Sequence, residues 1–216
     1  MIRVIVSQRV DWLEDRKERR DSIDQNLNYW LIAAGFLPIP VPNTMLRTTW
    51  RGKPLLQHWL QEMEPNAVLL SGGNDLGQVA ERDATEHYLL DYASKLLLPM
   101  LGICRGMQMI NQWAGGSLKR VPGHVATRHQ LIGEYTDVVN SYHQYGLKEC
   151  PKNFKVIAAT QEGHIEAIRH LSLPWEGWMW HPERETSFKS NDLQRLKSLF
   201  SLARDEKIKT LSSDKS

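Results

Sequence analysis

The stretch Met100-Leu-Gly-Ile-Cys-Arg-Gly-Met-Gln-Met-Ile110 limits what this chain can fold into more than any other. An apolar run of β type reaches a cysteine framed by Gly102 and Gly106, then passes directly into a helical pattern. A strand that turns sharply into a helix needs small residues beside the turn and presents the side chain at its apex outward. The helix that follows sets backbone N–H groups and a partial positive charge beside that side chain, which favours a thiolate. Free cysteines are more often buried and structural. A functional reading of Cys104 therefore depends on partners elsewhere in the chain.

The flanking sequence repeats the strand-to-helix alternation. Ile2–Ser7 is a β-branched run without alternation, the pattern of a strand buried on both faces of a parallel sheet. Ser22–Ala34 carries Ile23, Leu27, Trp30, Leu31 and Ala34 at helical spacing, stopped by Gly35. The same logic predicts strands at Phe36–Pro40, Ala67–Ser71 and Leu98–Ile103, and helices at Leu55–Met63 and Asp83–Lys95. The charged segment Asp11–Asp21 reads as a solvated loop. The elbow helix should end near Ala114, where Gly115-Gly116 follows. Beyond it the pieces Tyr135–Val139, Lys155–Thr160, His164–Ile168 and Trp175–Met179 suggest an antiparallel extension or a return through the sheet, before a helix from about Asn191 to Ala203. The expected fold is α/β and Rossmann-like, a mainly parallel central sheet with helices on both faces. One domain over residues 1–205 and a polar, disordered tail over 206–216 are expected.

Composition serves mainly to exclude. With 27 basic against 25 acidic residues the net charge is only +2, so general nucleic-acid binding is not indicated. No apolar run approaches the roughly 20 residues of a membrane span. Two cysteines, Cys104 and Cys150, make no disulfide scaffold, and the chain starts as a strand rather than a signal peptide. A cytoplasmic protein without membrane partners is expected; the sequence leaves its oligomeric state open.

A thiol nucleophile needs a base for its proton, and the base needs an orienting group. Trp180-His181-Pro182-Glu183 supplies both at the end of an apolar strand, where functional groups of open α/β sheets collect. In this reading Cys104 attacks, His181 takes and returns the proton, and Glu183 fixes the imidazole. Acyl transfer also needs backbone donors for the oxyanion, worth about 3 to 4 kcal/mol each. The N–H groups of Gly73 and Arg105 are the candidates; a lone Gly-Gly-Asn is more often an ordinary turn, and the functional reading is preferred because the elbow and the His-Glu pair come with it. His124, His129, His164 and His170 lack the short spacing of a zinc site and Cys150 stands alone, so no metal and no cofactor are expected.

Taken in order, Leu69-Leu-Ser-Gly-Gly-Asn-Asp75, Gly102-Ile-Cys-Arg-Gly-Met-Gln108, Asn140-Ser-Tyr-His143 and Trp180-His-Pro-Glu183 resemble the class I glutamine amidotransferase superfamily. The elbow motif and Ile165-Glu166-Ala167 resemble its free-standing γ-glutamyl hydrolase branch, over roughly Arg3 to Phe200. The resemblance implies a flavodoxin-like fold, a triad of Cys104, His181 and Glu183, and an oxyanion hole at Gly73 and Arg105. It implies Gln108 against the γ-glutamyl portion of the substrate. Asn140, Ser141, Tyr142 and His143 would hold its α-amino and α-carboxylate groups, with Asn74 a further contact.

Two end segments narrow the likeness. Val6-Ser-Gln-Arg9, with Trp30 later, and Met179-Trp-His-Pro-Glu-Arg-Glu185 look like a subgroup that releases glutamate from a γ-glutamyl group on a cytidine diphosphate amidate, in capsule phosphoramidate synthesis. That resemblance implies a small-molecule γ-glutamyl substrate joined to a cytidine nucleotide, with Arg9, Arg184 and Arg105 as diphosphate partners and Asp75 paired to one of them. His129 becomes a substrate contact and Glu166 a structural residue. Three activities stay open: a γ-glutamyl amide hydrolase, including one acting on γ-glutamyl aminobutyrate; a glutaminase subunit passing ammonia to a separate synthase; and a non-catalytic relative. The complete Cys-His-Glu set disfavours the last.

Overall fold

The computed structural model describes residues 1–213, with side chains to Ser201. Its centre is a mixed sheet of eight strands, which we number β1 (Ile2–Ser7), β2 (Phe36–Val41), β3 (Ala67–Leu70), β4 (Met100–Ile103), β5 (Ile132–Gly133), β6 (Phe154–Ala159), β7 (Ile165–His170) and β8 (Trp175–Trp178). The order across the sheet is β5-β6-β7-β8-β4-β3-β1-β2. From β8 to β2 all neighbours are parallel, and β7, β6 and β5 continue the sheet antiparallel. Both halves of the expectation hold, the parallel core and its antiparallel extension.

Alternate residues of the parallel strands feed two cores. Val4, Val6, Leu69, Leu101 and Ile103 pack under helices α1 (Gln25–Ala33) and α5 (Ser190–Ser213), with Leu27, Trp30, Leu31, Leu196 and Phe200. Ile5, Val68, Leu70 and Met100 face the opposite layer of α2 (Leu55–Met63), α3 (Ala80–Lys95) and α4 (Arg105–Trp113). Strands buried on both sides cannot alternate apolar with polar, which is why they read as unbroken apolar runs. Trp178 and Trp180 stack with ring centroids 5.1 Å apart, and Tyr135 stacks on Trp180 at 5.2 Å. This aromatic pile anchors the strand end that leads to His181.

Several boundaries differ from expectation for local reasons. Asp11–Asp21 is not a loop: Arg9–Leu13 and Glu18–Ser22 form an antiparallel hairpin. Its solvent-facing positions are charged, so no apolar alternation marked it. Helix α1 starts only at Gln25, because Asp24 caps it by accepting from the N–H of Asn26. Helix α3 begins at Ala80, three residues before the expected Asp83, and Val138–Tyr142 replaces the strand expected at Tyr135–Val139. The backbone of α5 runs helically past residue 205. The side chains of 202–213 and all of 214–216, and with them most of the expected tail at 206–216, lie outside the described residues.

The turn between β4 and α4 is as sharp as its sequence suggested. Cys104 sits at φ 50°, ψ −105°, a region that non-glycine residues rarely visit. A ladder bond from its N–H to the carbonyl of Trp178, 2.7 Å, holds it at the sheet end. Gly106 permits the helix to lie directly on β3: a β-carbon there would stand 2.1 Å from the carbonyl oxygen of Leu70.

Candidate active site

The carboxyl ends of β3, β4 and β8 converge on one cleft of about 310 Å³, lined by Gly73, Asn74, Cys104, Gln108, His143 and His181 among others. His181 is buried, and its Nδ1 lies 2.7 Å from Oε1 of Glu183. A 3₁₀ turn over Pro182–Arg184 folds the carboxylate back onto the ring. Burial disfavours a charged imidazole, but Glu183 and the Cys104 sulfur outweigh it and raise the His181 pKa to about 9. A thiol beside an imidazole that a carboxylate keeps protonated is the composition of a thiolate–imidazolium pair, able to attack a carbonyl carbon and then protonate a leaving nitrogen.

The loop after β3 seats the ring. A β-carbon on Gly72 would come within 2.7 Å of Cε1 of His181, so only glycine lets the imidazole rest there. That loop is held from below by a residue the sequence reading overlooked. Arg82 is fully buried and donates to the carbonyls of Ser71 (2.7 Å) and Gly72 (2.9 Å), and to Oδ1 of Asn74 (3.2 Å). Its Nε bonds Glu86 at 3.0 Å, and Glu86 also pairs with Arg105. Burial, more than the neighbouring Arg9, lowers Arg82 to about 10, which still leaves it charged at neutral pH. A signal was available: Arg82 and Glu86 lie four residues apart on the stripe that carries Leu89, Leu90 and Ala93 inward. Starting the helix at Asp83 hid it.

Not every candidate side chain is free to meet a ligand. The Arg105 backbone lies at the first position of α4, but its side chain turns away to Asp83, Glu86 and the carbonyl of Asn74. It is 2% exposed and cannot serve a diphosphate. Among the described residues Asp75 forms no ion pair with an arginine; its backbone N–H is held by Gln78. Asn140 spends its amide on the backbone of His181, accepting from the N–H at 2.9 Å and donating to the carbonyl at 2.8 Å. It positions the His-Pro-Glu segment rather than a ligand. Ser141 is buried and donates to the carbonyl of His124, and Asn74 is committed to Val10 and Arg82.

Gln108, Tyr142 and His143 do line the cleft, as do Arg9 and Arg184. Gln108 donates through Nε2 to the carbonyl of Tyr145 at 2.8 Å. Arg184 lies over the Tyr142 ring at 4.9 Å, and Arg9 bonds Asp11 at 2.7 Å while remaining half exposed. His129 packs instead against His124, 4.1 Å between the centroids of the tilted rings, and His124 in turn contacts His143 and His164.

With this geometry in place, likeness to known proteins has a site to rest on. The family described as glutamine amidotransferase class-I matches residues 19–198. The chain belongs to that family. A γ-glutamyl-CDP-amidate hydrolase from Campylobacter jejuni is 30% identical over 145 residues, 64% of this chain and 72% of that one. A glutamine-hydrolysing GMP synthase subunit from Thermococcus kodakarensis is 28% identical over 148 residues, covering 63% and 76%. Among solved structures, a GMP synthase subunit from Thermoplasma acidophilum superposes with a TM-score of 0.73 over 97% of this chain and 98% of that one, at 16% identity. That likeness carries the fold of the amidotransferases. Among the described residues no helix is long and apolar enough to cross a membrane.

Proposed function

We propose that this amidotransferase-family chain hydrolyses a γ-glutamyl amide through a γ-glutamyl thioester on Cys104, and that the group released is a cytidine diphosphate amidate. The thiolate of Cys104 attacks the γ-carbonyl, and the amide N–H groups of Gly73 and Arg105 receive the developing oxyanion. Imidazolium His181 gives its proton to the leaving nitrogen, and the C–N bond breaks. Neutral His181 then takes a proton from water, whose oxygen attacks the thioester; the Cys104 thiolate is expelled, glutamate leaves and the thiolate–imidazolium pair is restored. Glu183 holds the ring throughout. Gln108 faces the γ-glutamyl portion, while Tyr142 and His143 border its α-substituents.

What supports a nucleotide on the far side of the bond is Arg9. It lines the cleft around Cys104 and also a neighbouring groove of about 960 Å³ bordered by Trp12, Arg19 and Arg47. Cationic forks suit phosphate oxygens, and an aromatic face suits a base. The 30% identity to a γ-glutamyl-CDP-amidate hydrolase agrees with this reading and with a place in capsule phosphoramidate synthesis. The likeness to GMP synthase subunits favours a second reading, a glutaminase that passes ammonia to a synthase. Glutamate release from γ-glutamyl-CDP-amidate, γ-glutamyl aminobutyrate and glutamine separates them. The nucleotide conjugate should give the highest kcat/KM; cleavage of glutamine alone, and only with a synthase present, would replace the proposal by the second reading.

A further inference from the structure

At the cleft wall formed by His143, side chains from three separate segments meet around one point. His124 precedes the strand Val125–Gln130, His143 follows the strand Val138–Tyr142, and Glu166 stands on β7. Nδ1 of His124 lies 3.3 Å from Nε2 of His143 and 3.5 Å from Oε1 of Glu166, and His143 Nε2 lies 3.4 Å from the same oxygen. All three side chains are at least nine-tenths buried. These separations are long for N–H···O bonds, whose usual value is about 2.9 Å. They match the edge of a tetrahedron: two ligands each about 2.0 to 2.1 Å from a zinc ion stand about 3.3 to 3.4 Å apart.

Hydrogen bonding points the same way. His143 Nδ1 lies 3.1 Å from the carbonyl of Tyr145, which can only accept, so Nδ1 carries a proton; in the neutral ring the Nε2 lone pair then faces both Nδ1 of His124 and Oε1 of Glu166. A histidine that donates one nitrogen to a carbonyl and offers the other inward has the arrangement of a metal ligand with its orienting partner. Both carboxylate oxygens of Glu166 are buried without a hydrogen-bond partner, as is Nδ1 of neighbouring His164. The two imidazole nitrogens are held only by long contacts to each other and to Glu166, and a buried carboxylate without a closer donor favours a cation between the three.

We infer that His124, His143 and Glu166 form a binding site for one divalent zinc-type ion, with the fourth position left to water or to His164. Two imidazoles and one carboxylate in tetrahedral array suit zinc among the common divalent metals. The ion ties three segments together and, through Tyr145, braces the carbonyl that also receives Gln108. The inference stands apart from the identity of the leaving group.

Full-length protein stripped by a chelator and titrated with Zn²⁺ or Co²⁺ tests it. One equivalent should bind, the cobalt form should show the visible bands of four-coordinate cobalt, and zinc should raise Tm. Glu166→Gln and His124→Asn should weaken zinc binding about a hundredfold or more. Should either variant fail to fold, the wild-type cobalt form decides alone: His143 Nδ1–H should give a paramagnetically shifted exchangeable resonance. Wild type that binds no equivalent, folded variants that keep wild-type affinity, or a cobalt form without that resonance would each overturn the site.

Discussion

The two sides of the cleft that the proposed reaction would place about the scissile bond are built differently. On the nucleophile side Cys104, His181 and Glu183 are buried, Gly72 is shaped to the imidazole, and the charged pair of Arg82 and Glu86 clamps the loop beneath. On the other side Arg9 and Arg184 are one-third to one-half exposed, set on a hairpin and a short 3₁₀ turn. In the proposed reaction the first side would fix the reaction type, because its buried atoms are held in place. The second would select a partner in that reaction through cations in partial contact with water, where each pair is worth little.

The contrast can be broken by substitution. Gly72→Ala drives a methyl into the His181 ring and should lower kcat about a hundredfold, since a displacement of ~1 Å at a catalytic group costs that much. Unchanged kcat in steady-state assays would mean that the ring does not need its seat. Next in size is a pH effect. The His181 pKa is raised to about 9 from its ordinary 6.5, so the charged ring contributes to stability fully below pH 6.5, and this contribution is lost as pH rises through about 9. The proton needed by the leaving nitrogen goes with it. The alkaline limb of kcat/KM should fall near pH 9 and move to lower pH in Glu183→Gln; a limb that stays in place would detach Glu183 from the ring. The smallest effect belongs to the exposed side: Arg9→Ala should raise KM for a nucleotide conjugate about fivefold, ~1 kcal/mol, and leave KM for γ-glutamyl aminobutyrate unchanged. Equal shifts for both substrates would remove Arg9 from phosphate recognition.

The same contrast explains what could be read from the chain. Strands buried on both faces announce themselves as apolar runs, and the elbow announces itself through Gly102, Cys104 and Gly106, so the parallel core and the turn were legible. Pairing across long separations was not. Asn140 and Ser141 stand in a binding-type motif, yet their hydrogen bonds go to His181 and His124, far away in sequence. Arg105 has the look of a phosphate ligand in sequence, but its side chain is buried against α3. His124, His143 and Glu166 carry no ligand spacing because the fold, rather than a short motif, brings them within 3.5 Å of one another.

The chain also holds its own control for the central claim. Cys104 occupies the strained turn beside His181, whereas burial raises the thiol pKa of Cys150. An electrophilic glutamine analogue, followed by peptide mass spectrometry, should modify Cys104 alone, with loss of activity in step with labelling. Modification of Cys150, or full labelling of Cys104 without loss of glutamate release, would contradict the assignment of Cys104 as the nucleophile.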